Sequence, residues 1–292
     1  MKRKIWIWIV AILVVVAGSL YLSRGYLRDA YAGWWAPKLP AAVPYQPHQA
    51  TSPTAVAIPD TTPSPFEPGY STSQHYTLET SPTVKQQQAP ADPLAFTGTL
   101  PADVNLDVPF TTQAPYSNWG MPYQEACEET SAIMVDAFYQ GKTGKIAPAT
   151  ADNAILKFIA YENATLGFYK DTTAEEIATV IRGYQGYKTV IVKPFDSIDE
   201  LKKAVALGYP VIVPMAGKLL GNPNFTNGGP LYHMLVIRGY TKDVIITNDP
   251  GTRKGEGYTY PYATILKAAH DWNGGSVTEG KRVMIVVIPN PS

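Results

Sequence analysis

The chain has 292 residues, 24 basic and 24 acidic side chains, and 45% hydrophobic residues, which is enough for one large domain or two small ones. The formal net charge of zero argues against a nucleic acid or an acidic membrane surface as the partner. The single cysteine excludes an internal disulfide and every multi-cysteine zinc site, and no other pattern predicts a metal or a cofactor.

An apolar run near the amino terminus predicts a membrane anchor. Residues 1–4 carry three basic side chains and form a predicted cytoplasmic tail, and residues 5–22 are uncharged. As a helix, the second segment would span roughly 27 Å, close to the thickness of a bilayer core. The basic flank favours export of everything that follows. A cleaved signal peptide is the alternative, and in both cases we expect the rest of the chain to be extracytoplasmic.

Residues 23–95 form a predicted spacer. Twelve of the 26 prolines lie between Pro37 and Pro93, among many Thr, Ser, Gln and Ala residues. Proline removes backbone donors and favours extended geometry, so this composition does not support a packed core. We therefore expect the segment to hold a globular domain, residues 96–292, away from the membrane.

The globular domain is predicted to have helices first and a sheet afterwards. A short entry strand is predicted at Asp107–Thr112, and an amphipathic helix begins near Ala126 and ends at Gly141. Further helices are predicted at Thr150–Tyr161, Thr173–Tyr184 and Ser197–Leu207, and strands at Lys188–Val192, Pro210–Met215, Leu231–Tyr240, Val244–Asn248 and Arg282–Ile288. This order indicates an α+β domain.

Local signals refine these elements. Thr172 or Thr173 is predicted to cap the third helix, and Ser197 with Glu200 is predicted to form a capping box at the fourth. Lys242 and Asp243 predict a tight turn, so the two strands around them should form an antiparallel hairpin.

Cys127 lies at the predicted start of the first helix. Unpaired backbone amides and the helix dipole favour a thiolate there, and the Cys127 amide could stabilise an oxyanion. Glu128 and Glu129 oppose thiolate formation, so a neighbouring imidazolium would have to offset them. The alternative is that Cys127 is simply a small buried residue.

His233 is the predicted base for this thiol. It opens an apolar strand, where an imidazole can face a cleft, although a histidine hydrogen-bonded within the core is the alternative. His270 is the other candidate in the globular part, but it lies near the end of a predicted helix.

Asp249 is the predicted orienting carboxylate. It ends the second hairpin strand, sixteen positions after His233, so the hairpin should bring the two side by side. Alternation along the strand points Asn248 and Asp249 to opposite faces. Only one of them can therefore orient His233, and we favour Asp249 over a simple turn-forming role.

Two glutamines are candidates for the second oxyanion donor. Gln113 follows the predicted entry strand, and Gln124 lies three positions before Cys127. A side-chain amide near the nucleophile can hold developing negative charge, and we favour Gln113 slightly.

Together these residues resemble the papain-like cysteine peptidases of the bacteriocin-processing type, the C-thirty-nine-like peptidases. The resemblance covers residues 104–290 and excludes the anchor and the spacer. It implies a papain-like α+β fold with the nucleophile at a helix start, packed on an antiparallel sheet. It also implies that Cys127 is the nucleophile, His233 the base and acid, and Asp249 the orienter. Exporter members usually have glycine after the cysteine, where this chain has Glu128.

We therefore predict a membrane-tethered, extracytoplasmic cysteine peptidase that acts through a thioester on a peptide or protein, including cell-wall peptides. An amidase or transpeptidase could use the same intermediate. A catalytically silent surface module that binds peptides or wall polymer is the alternative from another class.

Overall fold

The computed structural model describes residues 38–47 and 92–291. The predicted tail and anchor, and most of the predicted spacer, lie outside the described residues. Within the described ranges, no helix has the length and apolar character needed to cross a bilayer.

Five helices and seven strands are seen in the described part of the chain. The helices are α1 (Cys127–Tyr139), α2 (Pro148–Thr165), α3 (Ala174–Val180), α4 (Ile198–Ala206) and α5 (Tyr262–Ala268). The strands are β1 (Val104–Asn105), β2 (Thr189–Pro194), β3 (Val211–Ala216), β4 (Tyr232–Tyr240), β5 (Val244–Asn248), β6 (Tyr258–Pro261) and β7 (Val283–Ile288). The predicted α+β class is confirmed.

The strands form one antiparallel sheet in the order β2-β7-β3-β4-β5-β6, with β1 paired to β4. Strand β4 is buried along its whole length because it has a neighbour on each side and α1 packed against it. The predicted β4–β5 hairpin is present, and Val236 pairs with Asn248. This register brings the start of β4 opposite the residues that follow β5.

The predicted entry strand at Asp107–Thr112 is wrong. In this part of the chain, regular strand pairing is confined to β1, which ends at Asn105, and Phe110 makes only an isolated bridge with Lys145. The Val108 and Pro109 carbonyls instead accept hydrogen bonds from the side chain of Asn248. Side chains rather than a partner strand therefore satisfy part of this backbone.

The two capping predictions have different outcomes. Thr173 caps α3 in a complete capping box with Glu176. Ser197 occupies the N-cap position of α4 without a side-chain bond, and Glu200 accepts from the Asp196 amide instead. The predicted capping box of Ser197 and Glu200 is therefore wrong, because the glutamate bonds one residue earlier than the motif requires.

A part of the predicted spacer packs on the globular domain. The Val43 amide donates to the Asn105 carbonyl at 2.7 Å, and the Asp107 amide donates to the Val43 carbonyl at 2.7 Å. These bonds make a parallel bridge between Val43 and Leu106. The composition of this segment gave no signal for the contact, because two backbone bonds and one side chain are enough to form it.

Tyr45 is the side chain that anchors this contact. Its ring lies edge-on to Phe138 at 5.5 Å and to Tyr139 at 5.2 Å. We expect Tyr45→Ala to lower the free energy of unfolding by about 1–2 kcal/mol, because aromatic pairs and their buried area are lost. Denaturant unfolding measures the loss. Tyr116→Ala is the matched control, since Tyr116 is 61% exposed, and an equal effect of both variants would contradict the prediction.

Candidate active site

Cys127 is the first residue of α1, with Ala126 at the N-cap and a short 3₁₀ turn, Tyr123–Glu125, before it. A residue at this position has no carbonyl acceptor within the helix for its amide. The thiol is buried, and the Met234 backbone amide donates towards its sulfur. Cys127 therefore lies against the start of β4, beside the residue that follows His233.

Glu128 is the hydrogen-bond partner of the thiol. Cys127 Sγ donates to Glu128 Oε2 at 2.9 Å, and both side chains are buried. Burial, followed by the charge of Glu128, raises the pKa of the Cys127 thiol well above its usual value. The expected opposition of Glu128 to thiolate formation is thus a direct contact.

His233 and Asp249 meet at the end of the β4–β5 hairpin. Nε2 of His233 lies 2.8 Å from Oδ1 of Asp249, and both side chains are fully buried. The ring of Phe225 lies edge-on to the imidazole at 5.5 Å. Gly251 passes so close to the imidazole that a Cβ there would come within 2.9 Å of His233 Cε1. The imidazole is therefore held on several sides.

The Asp249 carboxylate has donors on both oxygens. Oδ1 accepts from the Gly251 amide at 3.0 Å as well as from His233, and Oδ2 accepts from Tyr260 Oη at 2.6 Å and Asn222 Nδ2 at 3.3 Å. Burial alone would raise the pKa of Asp249. The charge of His233 and these hydrogen bonds outweigh burial and lower the pKa below its usual value. Asp249 is therefore ionised at neutral pH.

Sequence reasoning did not assign Asn222 or Tyr260 to the site. Asn222 lies in the long polar loop before β4, and Tyr260 lies on β6, a strand that was not predicted. A buried carboxylate needs donors, but one sequence does not reveal which distant side chains supply them.

The two alternative site residues have other partners. Nδ2 of Asn248 donates to the Val108 carbonyl at 2.9 Å, which agrees with the expected alternation from Asp249. His270 follows α5, and its Nδ1 lies 2.9 Å from the Gly280 carbonyl. Asn248 and His270 thus connect backbone segments, whereas His233 meets a carboxylate.

Gln113 contacts the loop that precedes the nucleophile. Its side-chain Nε2 donates to the Tyr123 carbonyl at 2.9 Å and to the Gln124 carbonyl at 3.0 Å. Its backbone amide donates to the Pro250 carbonyl at 3.0 Å. Both side-chain hydrogens are directed at carbonyls, so one bond would have to exchange before Gln113 could hold an oxyanion. The Gln124 side chain is exposed on the 3₁₀ turn.

Glu129 faces a second buried carboxyl rather than the thiol. Its carboxyl interacts electrostatically with that of Glu162 on α2; both side chains are fully buried, and none of the four carboxyl oxygens has a hydrogen-bond partner among the described residues. Burial and the mutual repulsion of the two charges raise the pKa of Glu129 well above its usual value, and burial raises the pKa of Glu162 to about 8. Glu162 therefore holds a proton near neutral pH. Glu162 was detectable in the sequence as a charged residue on the apolar face of α2.

A cavity of about 830 Å³ lies at the opposite end of α1, lined by the 140–147 segment and the start of α2. Its lining does not include Cys127, His233 or Asp249. In the 38–47 and 92–291 ranges, no group of three or more His, Cys, Asp or Glu side chains is arranged to hold a metal ion. The candidate catalytic side chains Cys127, His233 and Asp249 lie away from this cavity, where the start of α1 meets the β4–β5 hairpin.

Comparison with known proteins identifies the family. The sequence pattern of the Peptidase_C39 like family matches residues 105–276, more than half of the chain. The chain belongs to the Peptidase_C39 like family. None of the curated proteins matches the chain.

Two solved structures are similar to this peptidase. A putative C39-like peptidase from Bacillus anthracis is 18% identical with a TM-score of 0.43, and the match covers 65% of this chain and 99% of that one. Xylellain, a cysteine protease from Xylella fastidiosa, is 14% identical with a TM-score of 0.43. That match covers 66% of this chain and 88% of xylellain. The family assignment rests on the match over residues 105–276.

Family membership confirms the expected papain-like fold and the expected enzyme class, a cysteine-type peptidase. It favours an enzyme over a silent binding module. The 105–276 match excludes the anchor and the whole spacer, as the resemblance in the sequence implied.

Proposed function

We propose that this chain is a membrane-tethered, extracytoplasmic cysteine peptidase with a catalytic triad of Cys127, His233 and Asp249. One observation carries the triad. His233 bonds Asp249 through Nε2 at 2.8 Å, and the amide of the next residue, Met234, contacts the Cys127 sulfur. With Nε2 bound to an ionised carboxylate, the proton of a neutral imidazole resides on Nε2, and Nδ1 is the nitrogen that can take the thiol proton.

The reaction follows from these roles. The proton of Cys127 passes to Nδ1 of His233, and Sγ bonds to the carbonyl carbon of the scissile peptide. The tetrahedral oxyanion accepts a hydrogen bond from the Cys127 amide and from a second donor, Gln113 or Gln124. The C–N bond then breaks as His233 returns its proton to the leaving amine, and a thioester remains.

Hydrolysis completes the cycle. A water molecule attacks the thioester carbonyl while Nδ1 of His233 takes its proton. The C–S bond breaks, the acid product leaves, and the proton returns to the sulfur. Asp249 stays ionised throughout and stabilises the imidazolium, because its four donors and low pKa oppose protonation.

The location outside the cytoplasm is proposed from the sequence. The basic residues before the uncharged 5–22 run favour a cytoplasmic amino terminus. The substrate is then an exported protein or a wall peptide. Fusion of alkaline phosphatase after Ser292 in a bacterial host should give high activity, whereas a fluorescent protein that matures only in the cytoplasm should stay dark at the same position. The reverse pattern would overturn the proposed location.

Removal of the nucleophile tests the function. We expect Cys127→Ala to reduce cleavage of a mixed peptide library by the full-length protein in detergent to background, since no thioester can form. Mass spectrometry of the products measures cleavage, and ligated products would indicate a transpeptidase instead. Ser131→Ala is the matched control, because it removes a buried hydroxyl from the same helix. That hydroxyl has no hydrogen-bond partner among the described residues. Cleavage that survives Cys127→Ala would exclude Cys127 as the nucleophile.

A further inference from the structure

Glu128 contacts the reacting sulfur in a way that helical spacing does not produce. Side chains at adjacent helix positions point in different directions and do not face each other. Here the carboxyl of Glu128 nevertheless reaches the Cys127 sulfur at 2.9 Å. The carboxyl is buried at 1% exposure, although an unpaired glutamate at a helix start is far better solvated in water. The thiol and the Glu128 backbone amide are the partners of this buried carboxyl.

The surroundings of Glu128 hold it in this position without neutralising it. Among the described residues, the ionisable groups that interact with it are acidic: Cys127 and Glu129 on α1, Glu162 on α2, Asp171 in the loop before α3, and Tyr232 on β4. Exposed Lys170 acts on Asp171, and the base of the site, His233, follows Tyr232 on β4. A second negative charge beside Glu128 is therefore opposed from several sides.

We infer that Cys127 and Glu128 share a single proton, so that Glu128 is a catalytic residue that determines whether the nucleophile is a thiol or a thiolate. In one form the proton is on sulfur and the S–H bond points to the carboxylate. In the other it is on the carboxyl oxygen and the O–H bond points to the thiolate. Both forms carry one proton and one negative charge, so the exchange needs no external acid or base.

The shared proton separates the ionisation of the pair into two steps. The first proton leaves at lower pH, and the remaining one is held strongly because its loss puts two negative charges in contact. Burial and the neighbouring charges raise the pKa of both Cys127 and Glu128 in agreement with this. Transfer to Glu128 thus supplies thiolate in the resting one-proton form, and full ionisation of the thiol is delayed to high pH. During peptide cleavage the same proton passes from sulfur to Nδ1 of His233, which then protonates the leaving amine.

This inference rests on the proposed role of Cys127 as nucleophile, but its test does not need a substrate. Cys127 is the only cysteine of the chain, so the rate of alkylation of the full-length protein by iodoacetamide reports this thiol alone. We expect Glu128→Gln to move the high-pH rise in alkylation down by about one pH unit or more, which is about tenfold in rate on the rising limb. The glutamine keeps the size of the side chain and removes its charge.

Glu129→Gln is the matched control, because it removes a buried charge from the adjacent position, where the carboxyl faces Glu162 instead of the sulfur. We expect it to move the alkylation profile much less than Glu128→Gln does. An unchanged profile for Glu128→Gln, or equal shifts for the two variants, would overturn the inference. The first result would mean that no proton is shared, and the second would mean that only the general charge of α1 matters.

A measurement on the unaltered protein applies if Glu128→Gln does not fold. The S–H stretching band of the single cysteine should lie below the frequency of a free thiol at neutral pH, because the S–H bond donates to a carboxylate. A band at the free-thiol frequency would contradict the shared proton.

The inference and the proposed function fail in different ways. A shifted alkylation profile without peptide cleavage would leave the shared proton intact and exclude the proposed peptidase role of Cys127. Cleavage that depends on Cys127, with an alkylation profile that is insensitive to Glu128→Gln, would support the peptidase role of Cys127 and exclude the shared proton.

Discussion

Replacement of His233 by glutamine is expected to lower kcat/KM for peptide hydrolysis by about a thousandfold, the usual scale for loss of a general acid–base group. Glutamine is chosen because its Nε2 can still donate to Asp249, so the buried carboxylate keeps a partner. The variant therefore removes the base with little disturbance of the Asp249 network. Initial rates of cleavage of a single library peptide measure the loss, and the unfolding midpoint checks that the fold is kept.

His270→Gln is the matched control for this prediction. The imidazole of His270 lies beside the Gly280 carbonyl. Because His270 is outside the reacting groups, its replacement should leave the cleavage rate within about twofold of that of the unaltered protein. If the two variants lost equal activity, or if His270→Gln alone lost it, the assignment of the base to His233 would be wrong.

The order and type of the main elements could be predicted because their patterns are local. Helix α1 and the β4–β5 hairpin have clear periodicity and a turn between them, and both were predicted within one or two residues. Strand β6 was missed because Tyr258–Pro261 has no long apolar run, whereas α5 was predicted only as a helix near His270, without bounds. The prediction of an entry strand at Asp107–Thr112 was wrong, because the Val108 and Pro109 carbonyls accept hydrogen bonds from the side chain of Asn248 on β5.

The predicted contact of His233 with Asp249 follows from the same local logic. A hairpin of known register brings its two ends together, so the pairing could be deduced from sixteen residues of sequence. The donors to Asp249 from Asn222 and Tyr260 could not be deduced, because they depend on how the 222–229 loop and β6 cross the hairpin. Likewise, Glu128 and Glu129 could be recognised as unfavourable beside a thiolate, but only the structure shows that they turn to different partners.

The Glu129–Glu162 pair is expected to make the protein less stable as the pH rises. The pKa of Glu162 is about 8 in the folded protein, well above that of an exposed glutamate. The folded state therefore holds a proton that the unfolded chain releases near pH 4 to 5. A raised pKa stabilises the fold at low pH, and this contribution is lost as the pH rises through 8. We expect the free energy of unfolding to fall by roughly 2–4 kcal/mol between pH 5 and pH 8.

Glu162→Gln should remove most of this dependence. The glutamine amide can donate to Glu129 without a second charge, so the variant should be more stable than the unaltered protein at pH 8 and show a flatter profile. Guanidinium unfolding followed by near-ultraviolet circular dichroism at a series of pH values measures both effects. Glu175→Gln is the control, because Glu175 is an exposed residue in the first turn of α3 and its replacement should leave the pH profile unchanged. A stability that stays level or rises between pH 5 and pH 8 would show that Glu162 does not hold a proton in the folded state. A Glu162→Gln profile as steep as the original would assign the proton to another group.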